Sequence, residues 1–283
     1  MAEVRRLRSL LFAPASRPDM LAKLPRSSPD GVVIDLEDAV PADAKADARP
    51  HARRMGPELL NAHPGLAVYV RVNAVPTDWF DADVTEACAP ELTGVIVPKI
   101  ETVEHVRTVA GALRAAGLGH LQVIAGVETA LGVEAAREFL VPPVAACYFG
   151  AEDFVADMGG MRTESSTEVL YARSRVALAA RIAGVLAIDQ VVTAFGDDGR
   201  FLEDAAQGRA LGYRGKLCIH PAQVQLANRA FSPSTEEIER ARRLLDAYEA
   251  AAARGEAAID FEGQMVDEPL ARHARAILAA GKT

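Results

Sequence analysis

Two acids in this chain stand where apolar runs stop. Glu128 follows the run Leu121–Val127, and Asp153 follows Ala145–Phe149 after the short step Gly150-Ala151-Glu152. Each run has the length and composition of a buried strand, and the segment between them has the length of a helix. Carboxylates at the ends of two successive strands can meet and share one divalent cation. With no His or Cys ligand spacing nearby, hard oxygen ligands suit Mg2+, with Mn2+ as the alternative, and water and substrate oxygens completing the octahedron. Glu152 is the neighbouring candidate ligand. It ranks lower because adjacent residues diverge in direction at a strand exit. Spacing alone leaves a second reading open, in which both acids complement the dipole of a helix N-terminus.

Other ionisable residues follow apolar runs in the same way: Ser16 with Arg17, Glu37 with Asp38, Arg71 with Asn73, Lys99, Asp197 with Asp198, and His220. Arg71 has two readings. Its planar fork can hold a carboxylate or a thioester oxygen, or it can form a structural ion pair with Asp35 or Glu37. Lys99 follows Pro98, which constrains its backbone. It is read as a partner of Glu128 or as a direct substrate contact, with a Schiff-base role as a third option. His220, ahead of Pro221, reads as a packing residue, and Asp267 on its own reads as a turn residue. The chain carries no Gly-x-Ser-x-Gly, no His-Glu-x-x-His and no phosphate-binding Gly-x-x-x-x-Gly-Lys-[Ser/Thr].

The elements that must position these residues follow from the hydropathy pattern. Strand candidates are Ser9–Ala13, Gly31–Leu36, Ala67–Val72, Gly94–Val97, Leu121–Val127, Ala145–Phe149, Gln190–Ala194 and Lys216–Ile219. They are rich in Val and Ile and nearly continuous in apolar character, as parallel strands buried on both faces are. Helical patterns lie between them, including Glu101–Ala116 and Ser166–Ala187. Eight strands alternating with helices predict an α/β fold, a (β/α)8 TIM barrel. A doubly wound sheet is the rival, but the Gly-x-Gly-x-x-Gly expected after its first strand is missing. In a barrel, all the residues above gather at the C-terminal ends of the strands. Ser16–Asp19 and Ser234–Glu237 read as capping boxes. The second opens a helix with Ile238, Ala241, Leu245 and Tyr248 on one stripe. The organisation expected is a barrel over residues 1–230 and a C-terminal helical extension over 231–283.

Composition narrows the classes. Half of the 283 residues are hydrophobic, and 31 basic against 39 acidic residues give a net charge of −8. No Lys/Arg stripe offers itself to nucleic acid, so an anionic substrate must be held by local arginines or a metal. Cys88, Cys147 and Cys218 are odd in number and far apart, which points to neither disulfides nor a zinc site. Cys147 and Cys218 read as core thiols. The start, Met1–Ser9, is basic, and the apolar run after it is too short for a signal sequence or a membrane span. A soluble cytoplasmic protein with no membrane segment is expected.

Taken together and in order, several segments resemble the citrate lyase beta subunit-like proteins. They are Leu10–Pro18, Asp35–Val40, Val70–Asn73, Pro98–Glu101, Gly126–Ala130, Gly150–Asp153, Ile219–Gln223 and Gly263–Asp267. That family includes malyl-CoA and citramalyl-CoA lyases within the pyruvate-type aldolase barrels. The resemblance spans about residues 8 to 280 and implies a barrel assembled as a homotrimer or a dimer of trimers. It implies Mg2+ on Glu128 and Asp153, and catalytic roles for Arg71 and Asp267. Arg71, Glu128, Ala151 and Glu152 would contact substrate. Glu37, Asp38 and Lys99 would surround the metal's water and Arg71. Arg17 and Lys45 would face CoA phosphates. Asp267 would reach the site of a neighbouring subunit. Gln264 departs from the pattern, since lysine is common there. The activity implied is Mg2+-dependent cleavage or formation of a 3-hydroxyacyl-CoA, such as citryl-CoA or malyl-CoA, giving oxaloacetate or glyoxylate and an acyl-CoA. The alternatives are a malyl-CoA thioesterase, a pyruvate aldolase that needs no CoA, and a subunit served by an acyl-carrier protein.

Overall fold

The computed structural model describes residues 6–281. Residues 1–5, the start of the basic segment Met1–Ser9, and residues 282–283 of the expected extension lie outside the described residues. Among the described residues, eight parallel strands close into a barrel. They are β1 (Ser9–Pro14), β2 (Gly31–Asp35), β3 (Ala67–Arg71), β4 (Gly94–Val97), β5 (Gln122–Val127), β6 (Val144–Phe149), β7 (Leu186–Asp189) and β8 (Gly215–Cys218). Each pairs with the next and β8 returns to β1. The helices accompanying them are α1 (Pro18–Leu21), α2 (Lys45–Ala62), α3 (Phe80–Ala82), α4 (Val103–Ala115), α5 (Ala130–Phe139), α6 (Ala151–Asp157), α7 (Thr167–Ala183), α8 (Asp198–Leu211) and α9 (Pro221–Ala230).

The period of two along a strand decides what fills the barrel. Leu10, Val33, Tyr69, Ile96, Ile124, Ala146, Ile188 and Leu217 form one apolar cluster. Two residues further along, the same face carries Phe12, Asp35, Arg71, Gly126 and Tyr148. The ladder sets Asp35 beside Arg71 and Gly126 beside Tyr148. A dry interior therefore ends in a polar layer at the C-terminal ends of the strands.

The seventh strand is a correction. It is Leu186–Asp189, where the sequence suggested Gln190–Ala194, and α7 stops at Ala183 instead of running to Ala187. Gly184 closes α7 in the left-handed region, φ 72°, and the chain enters the sheet at once. The strand is easy to miss because it carries a charge. Asp189 is fully buried and receives both arms of Arg173, at 2.8 and 2.6 Å, and the Lys216 ammonium at 2.7 Å. Asp204 completes a neutral quartet, bound by Arg173 at 3.1 Å and by Lys216. The first capping box is also corrected. The N-cap of α1 is Arg17 and no side chain caps it. Asp19, which would have answered Ser16, instead accepts from the Arg17 guanidinium at 2.9 and 3.0 Å.

The first compact unit ends at Asn228 and a second begins at Arg229. The second holds α10 (Thr235–Ala252), a hairpin of β9 (Ile259–Phe261) and β10 (Gln264–Val266), and α11 (Glu268–Ala280). The Ser234–Glu237 capping box forms as expected. The hairpin turns on Glu262 and Gly263, both at positive φ, 57° and 77°. Arg240 and Arg243 hold the Glu262 carboxylate at 2.8 and 2.9 Å. Ala241, Leu244, Leu245, Tyr248, Val266, Ala271 and Ala274 form this unit's own core. No helix among the described residues is long and apolar enough to cross a membrane.

Removing one member of a buried charge cluster strands the others in a low-dielectric interior. Arg173→Met is therefore expected to cost roughly 3–5 kcal/mol, read as a shift in the denaturation midpoint. Arg254→Ala, at an exposed pair with Glu256, should leave the midpoint unmoved.

Candidate active site

The site begins with an ion pair across neighbouring strands. Arg71 donates from Nε to Asp35 Oδ1 at 2.7 Å and from Nη2 to Asp35 Oδ2 at 2.6 Å. Its Nη1 lies 2.8 Å from Glu37 Oε2. Both structural partners suggested for Arg71 are thus present. A guanidinium has five N–H groups, and two of them are spent in hydrogen bonds to Asp35, while Nη1 faces Glu37 as an ion pair without hydrogen-bond geometry. The others, on Nη1 and Nη2, are not used up, and Arg71 lines a mouth cavity of about 400 Å3 with Phe12, Asp35, Met20, Leu217 and Ile219. Burial works against the Arg71 charge, but Asp35 and Glu37 outweigh it and hold its pKa well above the ordinary value.

The exit of β2 is pinned so that Glu37 turns inward. The Glu37 N–H donates to Asp35 Oδ1 at 2.9 Å. Lys45 donates to the carbonyls of Leu36 and Glu37 at 2.7 and 2.8 Å and is 5% exposed. This corrects the expectation for Lys45, whose ammonium is committed to backbone and does not face a phosphate. Arg17 is exposed and paired with Asp19.

Lys99 bridges the two halves of the site. Its Nζ lies 2.7 Å from Glu37, 3.3 Å from Asp153 and 3.8 Å from Asp38. Its ion pairs are therefore with these three acids, not with Glu128 as the sequence suggested. Burial lowers its pKa, but the hydrogen bond to Glu37 and the surrounding acids more than reverse this. An ammonium held in its charged form is unsuited to Schiff-base chemistry. Lys99 adopts φ 53°, the left-handed region, a costly conformation for a residue other than glycine.

Glu128 leaves β5 into a space that glycines keep open. A Cβ at Gly150 would lie 2.6 Å from Glu128 Cγ, and one at Gly126 would lie 2.6 Å from the Tyr148 hydroxyl. Glu128 is 1% exposed. Burial first, and then the charge of Glu37, push its pKa up to about 8. Tyr148 stands close enough for each to bias the other's proton. Even so, Glu128 Oε2 and the Tyr148 hydroxyl are buried with no partner in hydrogen-bond geometry among the described residues. Buried polar atoms in native proteins seldom stay unpaired. The side chains of Asp35, Glu37, Glu128 and Asp153, set against Arg71 and Lys99, leave two negative charges to be balanced when all are ionised. A divalent cation supplies that balance. No cluster of three or more His, Cys, Asp or Glu suited to a metal exists among the described residues. Two carboxylates with the remaining positions left to water and substrate is a habit of Mg2+, and the donor set fits it.

The remaining expected residues are more scattered. Ala151 is buried at the start of α6, and Glu152 pairs with Arg162 at 3.0 Å. Asp38 is exposed. Asp197 caps α8, and His220 stacks on Phe195. Asp267 belongs to the second unit, at the N-cap of α11, where its side chain caps nothing. Sequence reading overlooked Asp35 as a site residue in its own right, and also Tyr148. A signal was available, since Asp35 and Tyr148 each put a polar group inside an otherwise apolar strand candidate.

A sequence profile described as HpcH/HpaI aldolase/citrate lyase matches residues 8–221. The chain belongs to the HpcH/HpaI aldolase/citrate lyase family. Within that family it is 57% identical over 276 residues to a citrate lyase subunit beta-like protein of Deinococcus radiodurans, covering 96% of each chain. It is 33% identical over 267 residues to a (3S)-malyl-CoA thioesterase of Cereibacter sphaeroides, covering 92% of this chain and 89% of that one. A solved structure of CitE from Mycobacterium tuberculosis, in complex with magnesium, acetoacetate and coenzyme A, matches with a TM-score of 0.84. It is 32% identical, covering 99% of this chain and 100% of that one. The family resemblance read from the motifs and the eight-stranded barrel are both established by these matches and by the strand pairing.

The raised pKa of Glu128 makes stability depend on pH. An unfolded chain ionises this carboxyl in the ordinary range, and the folded chain only near 8. Between those values the folded state binds the extra proton, so stability falls as pH rises from about 5 to about 8. Thermal unfolding in EDTA at several pH values should show this slope, Mg2+ should offset it at the alkaline end, and Glu128→Gln should flatten it. Equal slopes for the two proteins would remove the assignment.

Proposed function

We propose that the protein is a Mg2+-dependent carbon–carbon lyase acting on a 3-hydroxyacyl-CoA of the citryl-CoA or malyl-CoA type. The observation that carries this reading is the conjunction of Glu128 and Asp153, acids whose charge Lys99 balances only in part, with an arginine whose fork is fixed but not used up. The magnesium, acetoacetate and coenzyme A held by the Mycobacterium tuberculosis structure support it. When bound, Mg2+ would polarise the substrate's hydroxyl and adjacent carboxylate.

The chain's own groups supply the rest. Cleavage moves the hydroxyl proton to a base, breaks the bond between C2 and C3, and gives a 2-oxo acid and an acyl-CoA enolate. The N–H groups of Arg71 not engaged by Asp35 receive the charge that develops on the enolate oxygen, an electrostatic contribution set up before the reaction starts. Asp35 and Glu37 keep that fork from turning. Lys99 steadies Asp153 and Glu37. Ala151 and Glu152 stand beside Asp153 at the start of α6, where the 2-oxo acid's carboxylate would sit. Asp267 is assigned the proton on the enolate carbon, returned during cleavage and withdrawn during synthesis. In this reading the extension, residues 231–283, carries Asp267 to the mouth of a neighbouring barrel in a trimer or hexamer and limits water there.

A second reading has the same groups act with water admitted, as a thioesterase. It is favoured by the 33% identity to a (3S)-malyl-CoA thioesterase. Product analysis separates them, since a thioesterase releases free malate and no glyoxylate. Citryl-, malyl-, citramalyl- and methylmalyl-CoA should be assayed with Mg2+ for 2-oxo acid release. Turnover of free acyl-CoA by the isolated protein excludes a need for an acyl-carrier protein.

Asp153→Asn and Glu128→Gln are each expected to lower kcat by at least about a hundredfold at saturating Mg2+. Full activity in either variant would sink the metal assignment. Asp267→Asn should keep its affinity for the 2-oxo acid and lose turnover, and a wild-type kcat would take Asp267 out of the mechanism. Light scattering at micromolar protein should give a mass above that of the monomer.

A further inference from the structure

Beside the mouth lies a second cavity, of about 300 Å3, whose lining, apart from Glu152, the lyase reading leaves without a role. It is bounded by the chain leaving β7, the segment before α7 and the first turns of α8. Val191 walls both cavities.

Four polar groups around it are underused by the protein. Gln190 is 1% exposed, and its Nε2 donates to Asp204 Oδ1 at 2.9 Å. Its Oε1 is buried with no hydrogen-bond donor among the described residues. Gln207 Oε1 accepts from Arg173 Nη1 at 2.6 Å, which turns its Nε2 the other way. Chemistry fixes both amides. A carboxylate only accepts and a guanidinium only donates, so neither amide can flip. Ser166 is buried at φ 53°, and α7 starts without its hydroxyl as a cap. Arg200 is half-buried and has no ion-pair partner among the described residues.

This set reads as a complement. A guanidinium, an amide N–H and a hydroxyl together select a carboxylate. A fixed buried acceptor beside them demands an O–H or N–H donor on the same ligand. The acids of the lining do not oppose an anion. Asp204 is neutralised by Arg173 and Lys216, while Glu152 shares Arg162 with Glu168 and is exposed to solvent. Glu164 and Glu203 are exposed, where water and salt screen them. We infer that this side cavity binds a small hydroxycarboxylate. Its carboxylate lies on Arg200 and Gln207, and its hydroxyl donates to Gln190 Oε1. Arg200, Gln207 and Gln190 lie outside the lining of the mouth, and the inference does not depend on the lyase reading.

The test uses L-malate as probe and the full-length protein in EDTA, with binding followed by titration calorimetry and ligand-detected NMR. Saturable millimolar binding is expected. Arg200→Ala should weaken it about tenfold or more, while Arg71→Lys leaves it unchanged. Succinate, which keeps the carboxylates but lacks the hydroxyl, should also bind about tenfold more weakly. The succinate comparison needs no variant to fold. Absence of binding overturns the proposal, as does loss in Arg71→Lys with retention in Arg200→Ala, which places the ligand in the mouth. Equal affinity for malate and succinate overturns the role of Gln190.

Discussion

The two-point ion pair between Asp35 and Arg71 is the constraint on which the site depends. It spans β2 and β3 at the top of the barrel's apolar filling. From it a chain of alternating charge runs across the mouth, from Arg71 to Glu37, Glu37 to Lys99 and Lys99 to Asp153. Each buried charge is set against its opposite, which is the only inexpensive way to keep it from water. The sequence of signs ends on an acid and meets Glu128, another acid, so the line closes only when something positive is added. The position of the proposed metal is thus a consequence of how the arginine is held.

A second charge cluster lies on the outer side of the same barrel. Arg173, Asp189, Asp204 and Lys216 sum to zero without help. The contrast separates architecture from chemistry. A balanced cluster ties α7 and α8 to β7 and β8, whereas an unbalanced one waits for a ligand. Asp204 links the outer cluster to the side cavity, because the same carboxylate that answers Lys216 also orients Gln190.

Much of this was legible in the chain. Seven of the strand candidates overlap the observed strands, because buried parallel strands are apolar on both faces and announce themselves. The seventh escaped notice for a physical reason: Asp189 breaks its apolar run, and only the unseen partners Arg173 and Lys216 make that acid tolerable. Glu128, Asp153, Arg71 and Lys99 could be named from their place after strands. Which of them touch could not, because register and barrel closure set those distances. Lys45 was misjudged for the same reason, since nothing in its neighbourhood says that its ammonium turns back onto the Leu36 and Glu37 carbonyls. Gly126, inside a strand candidate, and Gly150, just past one, gave no sign of their part in the site until the space they leave was seen to be occupied by Tyr148 and Glu128.

Lys99 carries its ammonium to three acids from a backbone bent into the left-handed region, a conformation costing about 1–3 kcal/mol for a side chain of this kind. Glycine would relax that bend and abolish the bridge. Position 99 is therefore a point where selection for a sturdier chain and selection for a working mouth pull in opposite directions. A lineage or a screen that rewarded heat resistance alone would drift away from lysine here, and the loss would surface as a defect in chemistry with no accompanying defect in folding.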